Sequence, residues 1–208
     1  ERMFKMTVAP EKAPDKVSTI EIFFEKGNPI KVINKETNEE FSDSVQLFSY
    51  LNKIAGENGI GRLDLVESRY VGMKSRGVYE TPAGTILHIA HRDLEGLTMD
   101  REVMRVRDSL IPIYSERIYS GFWFSPEMNY LQKIMDLTQN VVNGSVVLEL
   151  YKGNTTVIGR QSANSLYDNK IASMDISGGY DPSKARGFID ITSLRLQVAE
   201  KIRKQMEK

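Results

Sequence analysis

Residues 146–161, VVLELYKGNTTVIGRQ, carry the clearest secondary-structure signal in this chain of 208 residues. Val146, Leu148 and Leu150 recur at every second position, which is the period of a β-strand that buries one face. The tripeptide KGN has the composition of a tight turn, and the residues after it return as a second strand. The stretch therefore predicts an antiparallel β-hairpin.

A second hairpin is predicted upstream in residues 18–34, STIEIFFEKGNPIKVIN, where Ile20 and Ile22 alternate with polar neighbours. Between the hairpins, apolar residues recur at helical spacing, and helices are predicted to begin at Ser42 or Asp43, Thr81-Pro82, residue 100 and Ser125-Pro126. We expect Pro112 to break or kink the third of them. Because strands and helices follow no regular strand–helix–strand repeat, the fold class is predicted as α+β, a largely antiparallel sheet with packed helices.

The C-terminal segment is predicted to be a helix that follows a loop at residues 178–187. Leu194, Val198, Ile202 and Met206 are four residues apart and form a narrow apolar stripe on an otherwise polar helix. Such a helix more often lies along a partner than inside a core, so we expect a protruding oligomerisation helix. The alternative is a surface helix on its own domain.

The composition excludes several classes of function. The chain has 28 basic and 28 acidic residues, so it has no net positive electrostatic potential that would attract a polyanion. Neither nucleic acid nor a membrane surface is therefore expected as a partner. It has no cysteine, which excludes disulfides, thiol nucleophiles and cysteine metal sites. The N-terminus lacks the pattern of a signal peptide, and we expect a cytoplasmic protein.

Two other features could indicate chemistry. His88 and His91 lie one helical turn apart, but without a third ligand they more often are partly buried helix histidines than a metal site. Trp123 lies in an aromatic cluster that we expect to pack in the core. The sequence contains no GxxxxGK[ST] phosphate loop, and no metal ligand or catalytic residue is assigned.

The densest group of chemically capable side chains lies in residues 66–84, VESRYVGMKSRGVYETPAG. If two strands meet at a turn centred near Met73, antiparallel pairing places Glu67 opposite Tyr79. A carboxylate beside a phenol suits a small zwitterion with an ammonium group. The alternative is a solvated hairpin with polar cross-strand pairs.

Neighbouring residues extend this prediction. The first strand, over residues 62–71, is expected to direct Leu63 and Leu65 inward. Lys74, Ser75 and Arg76 are expected at the tip of the hairpin, where they could order the site or approach a phosphate. Their role stays a hypothesis.

Ordered blocks of sequence extend the pattern over nearly the whole chain. They are FEKGNP (24–29), GIGRLDLVESRYVGMKSRGVYETPAGTIL (59–87), AHRDLEGLTMD (90–100), YSGFWFSPEM (119–128), LYKGNTTVIGR (150–160), SLYD (165–168) and GFIDITSLRL (187–196). In this order they resemble the carboxy-terminal half of the argininosuccinate synthase family. Blocks of this length are far more specific than a short motif.

The resemblance implies a ligase that joins citrulline to aspartate. ATP, with Mg²⁺, adenylates the ureido oxygen of citrulline, and the amino group of aspartate then displaces AMP. Residues 1–189 would be the synthetase, citrulline-binding domain, and residues 190–208 the oligomerisation helix of a homotetramer. The family's ATP-pyrophosphatase domain, with its SGGLDTS-type loop, has no counterpart in this chain, so we expect no ATP or Mg²⁺ to bind to this chain alone.

The resemblance assigns two residues to citrulline. Glu67 matches the glutamate of the family's VE[NS]R block, and Tyr79 matches the tyrosine that follows its SRG block. The expected partners are citrulline, an N-terminal ATP-binding half and further copies of the chain. The alternative is a non-catalytic fragment that assembles through its C-terminal helix or binds an amino acid without turnover.

Overall fold

The computed structural model describes residues 3–172 and 181–207, and its contacts divide the chain into two units, Glu1–Leu166 and Tyr167–Lys208. The elements of the first unit are β1 (Ser18–Glu25), β2 (Asn28–Asn34), β3 (Glu40–Phe41), α1 (Ser44–Glu57), β4 (Arg62–Ser68), β5 (Lys74–Glu80), α2 (Pro82–Thr98), α3 (Arg101–Tyr119), α4 (Pro126–Gln139), β6 (Gly144–Tyr151) and β7 (Asn154–Gln161). The second unit contains α5 (Asn169–Ala172) and α6 (Ala185–Met206). The predicted α+β class is confirmed.

The main sheet joins the two predicted hairpins. Its strand order is β3-β2-β1-β6-β7, and every neighbouring pair is antiparallel. β1 pairs with β6 so that Ile20 lies opposite Leu148 and Ile22 lies opposite Val146. All four side chains are fully buried, so pairing of the two hairpins gathers their apolar faces into one core.

Helices α1 and α2 cover this core. The side chain of Asp43 accepts hydrogen bonds from the backbone N–H groups of Val45 and Gln46, which caps α1 where the sequence predicts its start. Leu51 of α1 and Ile86 of α2 are fully buried. Burial of a side chain of this size contributes about 1.5–3 kcal/mol, so the apolar faces of these helices hold them on the core.

A buried ion pair joins α2 to α3. The guanidinium group of Arg107 contacts both carboxylate oxygens of Glu95, and the two residues are 5% and 1% exposed. Gln139 of α4 donates to the same carboxylate at 2.9 Å. Burial alone would raise the pKa of Glu95, but the hydrogen bonds from Arg107 and Gln139 outweigh it and hold that pKa below its ordinary value.

Two sequence-based expectations are wrong in this unit, and a third is wrong in part. Leu63 is exposed, because β4 pairs with β5 alone and lies outside the five-stranded sheet. α3 runs through Pro112, so the expected break is absent, while a kink at this proline stays a prediction. Contacts of Arg107 before the proline and of Tyr114 after it hold both halves of the helix. Trp123 is half exposed rather than buried in the core.

The second unit differs from expectation at the start of its long helix. Asp181 accepts a hydrogen bond from the backbone N–H of Ser183 and begins a 3₁₀ turn, Pro182–Lys184, that continues into α6 at Ala185. The helix therefore begins inside the expected loop, of which residues 178–180 lie outside the described residues. The large apolar side chains of α6 are exposed within its unit: Phe188, Ile189, Ile191, Leu194, Leu196, Val198, Ile202 and Met206.

The helices within residues 3–172 and 181–207 also bear on membrane insertion. None of the helices there combines the length and the apolar composition that crossing a bilayer requires.

Candidate functional site

The candidate site lies on the hairpin formed by β4 and β5. Residues 69–73 connect the strands, and the backbone N–H of Gly72 donates to the carbonyl of Arg69 at 2.8 Å. Gly72 has a φ of +85°, a conformation that glycine adopts without strain. In the resulting register, Glu67 pairs with Ser75 and Leu63 pairs with Tyr79.

The predicted pairing of Glu67 with Tyr79 is therefore wrong. The hydrogen bond at Gly72 places the reversal near Val71 instead of Met73, and each residue meets a partner four positions from the expected one. Because four is an even number, the alternation of side chains is preserved. Glu67 and Tyr79 consequently still lie on the same face of the hairpin.

The structure brings these two side chains into contact. The hydroxyl of Tyr79 donates a hydrogen bond to Oε1 of Glu67. This bond, with smaller effects of partial desolvation and of the Glu67 charge, raises the pKa of Tyr79 above its ordinary value. Tyr119 raises that pKa slightly and Arg69 lowers it. Tyr79 as a residue is 42% exposed, so the pair is open to a ligand.

The three residues expected at the tip lie on β5 instead. Arg76 binds Asp64 through two bonds, Nε to Oδ1 at 2.8 Å and Nη2 to Oδ2 at 2.6 Å. Lys74 donates from Nζ to the hydroxyl of Ser68 at 2.7 Å. Both lie on the face opposite Glu67, and of the three only Ser75 shares the face of Glu67.

Two further residues hold the hairpin, and sequence reasoning missed both. Glu80, next to Tyr79, accepts hydrogen bonds from the backbone N–H groups of Lys5, Met6 and Thr7 and from the Thr7 hydroxyl, at 2.6–2.9 Å. Burial acts to raise the pKa of Glu80, but these bonds outweigh it and lower the pKa. No local signal could have identified this contact, because its partners are more than 70 residues away.

The other missed residue is Tyr119, at the C-terminal end of α3. Its hydroxyl lies 3.5 Å from the backbone oxygen of Ser68, the last residue of β4. The end of α3 is thereby placed beside the tip of the hairpin, and the only sequence signal for it was membership of the YSGFWFSPEM block.

The histidines do not form a metal centre with their neighbours. Nε2 of His91 lies 2.8 Å from Oε1 of Gln139, and Nδ1 lies 3.7 Å from Glu95, which is already bonded to Arg107. Within residues 3–172 and 181–207, no group of three or more histidine, aspartate or glutamate side chains is placed to hold a metal ion.

These features define an α+β domain that presents a hydrogen-bonded carboxylate and phenol on an exposed two-stranded hairpin. Comparison with known proteins agrees with the ordered blocks of sequence. The family model of the arginosuccinate synthase C-terminal domain matches residues 1–199. The chain belongs to this family.

Three relatives illustrate the similarity. Argininosuccinate synthase of Thermotoga maritima is 51% identical over 98% of this chain and 50% of its own length. The enzymes named argininosuccinate synthase from Desulfotalea psychrophila and Syntrophobacter fumaroxidans are 54% and 53% identical, over 94% and 97% of this chain and 48% and 49% of theirs. The chain thus spans about half the length of these relatives and corresponds to their C-terminal part.

Proposed function

We propose that this chain is the citrulline-binding half of an argininosuccinate synthase, which ligates citrulline and aspartate and converts ATP to AMP and pyrophosphate. The observation that carries the proposal is the hydrogen bond between Tyr79 and Glu67 on the open face of the hairpin. Family membership supports the reaction class, and this contact supports the position of the substrate.

Each member of the pair has a distinct role in this proposal. Glu67 accepts N–H groups of citrulline through the carboxylate oxygen that Tyr79 does not use. Tyr79 orients that carboxylate and presents its hydroxyl oxygen as a second acceptor. Both are substrate-binding residues, so they contribute by positioning citrulline for attack and not by covalent chemistry.

ATP, Mg²⁺ and aspartate belong, in this proposal, to the half of the relatives that this chain does not cover. The proposal assigns no step of phosphate chemistry to the residues of this chain. The same half is proposed to cover the hairpin, where Val66, Val71 and Met73 are 63–71% exposed. Exposed apolar side chains in such density are typical of an interaction surface.

Assembly into a homotetramer through α6 is the remaining part of the proposal. The apolar residues of α6 are exposed along the whole helix within its unit, and a free helix would leave that surface in water. Removal of apolar surface from water contributes about 25 cal/mol per Å², which favours contact of these α6 residues with other subunits.

The proposal is tested with this chain fused to the complementary half of the Thermotoga maritima relative. We expect Glu67→Gln to raise the KM for citrulline about 10- to 100-fold, because loss of a hydrogen bond to a charged group costs about 1.5–3 kcal/mol. The KM for ATP should not change. Glu11→Gln, a replacement of an exposed glutamate far from β4 in sequence, is the matched control.

An unchanged citrulline KM in Glu67→Gln would remove Glu67 from the site and overturn the proposal. Calorimetric measurement of citrulline binding to the 208-residue chain alone distinguishes half of an enzyme from the non-catalytic alternative. Tight citrulline binding by the chain alone, with no turnover by the fusion, would identify an amino-acid-binding module instead of half of an enzyme.

A further inference from the structure

Gly77 lies directly beneath the ring of Tyr79. Ser75, Gly77 and Tyr79 share one face of β5, and Gly77 pairs with Leu65 across the hairpin. A Cβ atom at position 77 would lie 2.8 Å from Cζ and 2.9 Å from the hydroxyl oxygen of Tyr79, and closer still to Cε2. The ring therefore occupies the space that a side chain at position 77 would need.

The register explains why the ring must take this path. Tyr79 pairs with Leu63, four residues from Glu67, and this offset is about 13 Å along the strands. Two upright side chains could not meet over that distance. Tyr79 reaches Glu67 by lying flat along β5, and the flat path passes over position 77.

We propose that Gly77 is a positioning residue for the Glu67–Tyr79 pair, because its lack of a side chain lets Tyr79 lie flat and reach the carboxylate. Glycine is required at position 77 to leave space for the ring and not for its backbone conformation, because Gly77 is not among the glycines of positive φ. Gly72 differs, having a positive φ and no atom within 4 Å of its Cβ position. The consequence of Gly77 for citrulline rests on the proposed function, whereas its effect on Tyr79 does not.

Alanine at position 77 tests this role. The atoms that it would displace belong to a half-exposed side chain, so Gly77→Ala should fold while Tyr79 leaves Glu67. In the fusion protein we expect its citrulline KM to rise about 10-fold or more, as in Tyr79→Phe, with an unchanged KM for ATP. Gly159→Ala is the matched control, because a Cβ on that strand glycine meets only Val147, at 3.7 Å.

A readout on Tyr79 itself makes the test independent of activity. Ring-labelled tyrosine in the 208-residue chain is titrated by NMR, and the Tyr79 signal is assigned from Tyr79→Phe. We expect Gly77→Ala, but not Gly159→Ala, to lower the pKa of Tyr79 towards its ordinary value. An unchanged Tyr79 titration in folded Gly77→Ala would overturn the inference.

Two double variants complete the design. If Gly77→Ala fails to fold, adding Tyr79→Ala should restore folding by removing the ring, and continued misfolding would contradict the proposed role. Gly77→Ala should add little to the citrulline defect of Tyr79→Phe, and a much larger combined loss would also contradict it. Unaltered citrulline kinetics in both Tyr79→Phe and Glu67→Gln would instead overturn the proposed function. The effect of Gly77→Ala on the Tyr79 titration would then still test whether Gly77 positions Tyr79.

Discussion

The hydroxyl of Tyr79 donates to the carboxylate of Glu67 although the two residues are four positions out of register on neighbouring strands. The contact depends on the length of both side chains and on the open space over Gly77. A carboxylate held in this way keeps one orientation before a ligand arrives, so less side-chain freedom is lost on binding.

The pair should respond to pH in the alkaline range. Tyr79 has a raised pKa in the folded chain, so its hydrogen bond is fully present below the ordinary tyrosine pKa of about 10 and is lost as pH rises through the raised value. We expect the phenolate absorbance of Tyr79, isolated as the difference from Tyr79→Phe, to appear at lower pH in Glu67→Gln. Identical titrations with and without Glu67 would contradict the contact.

Arg76 should have little part in substrate binding. Its guanidinium group is bonded to both oxygens of Asp64 on the face opposite Glu67, which leaves it poorly placed to meet a phosphate. In the fusion protein we expect Arg76→Gln to change the KM values for ATP and citrulline by no more than about twofold, because loss of an exposed ion pair perturbs the fold little. A selective rise in the ATP KM would instead support the hypothesis that this segment approaches a phosphate.

The buried pair of Glu95 and Arg107 should matter for stability. We expect Arg107→Ala to lower the free energy of unfolding by about 3–5 kcal/mol, because it leaves Glu95 buried without its main partner. Replacing both residues, as Glu95→Leu with Arg107→Met, should recover part of this loss. Denaturant unfolding measures each value, and Arg101→Ala, in an exposed ion pair of the same helix, is the control.

The same pair predicts the direction of an acid effect. Since the pKa of Glu95 is lowered in the folded chain, its contribution to stability is present above the ordinary glutamate pKa of about 4.3 and is lost as pH falls through the lowered value. The unfolding free energy of Glu95→Gln should therefore fall less steeply with acidification. If the unfolding free energies of the unaltered chain and of Glu95→Gln fell equally steeply with acidification, the lowered pKa of Glu95 would be contradicted.

The stripe on α6 should control assembly. Replacing Leu194 and Ile202 with lysine places charge on exposed apolar positions, so we expect the mass in sedimentation to fall towards that of the 23.6 kDa chain. Circular dichroism should show unchanged helix content. Gln205→Lys adds a charge to the same helix outside the stripe and should leave the mass unaltered. An undiminished mass in the Leu194/Ile202 variant would remove the stripe from the interface.

Much of this protein follows from local sequence alone. The alternation around KGN and KGNP determined both hairpins of the main sheet, and Asp43 and Thr81-Pro82 marked the starts of α1 and α2. The α+β class and the shared face of Glu67 and Tyr79 were predictable for the same reason. Turn residues, helix caps and apolar periods act between residues that are close in the chain.

Tertiary structure decided what local patterns could not. The pairing of β1 with β6, the four contacts of Glu80 to residues 5–7 and the burial of Glu95 against Arg107 each join residues distant in sequence or on different elements. The register of β4 and β5 depended on the turn in which the backbone N–H of Gly72 donates a hydrogen bond to the carbonyl of Arg69. The need for glycine at position 77 arises only once that register lays Tyr79 across it, because steric exclusion acts between atoms in space and leaves no periodic signal in the chain.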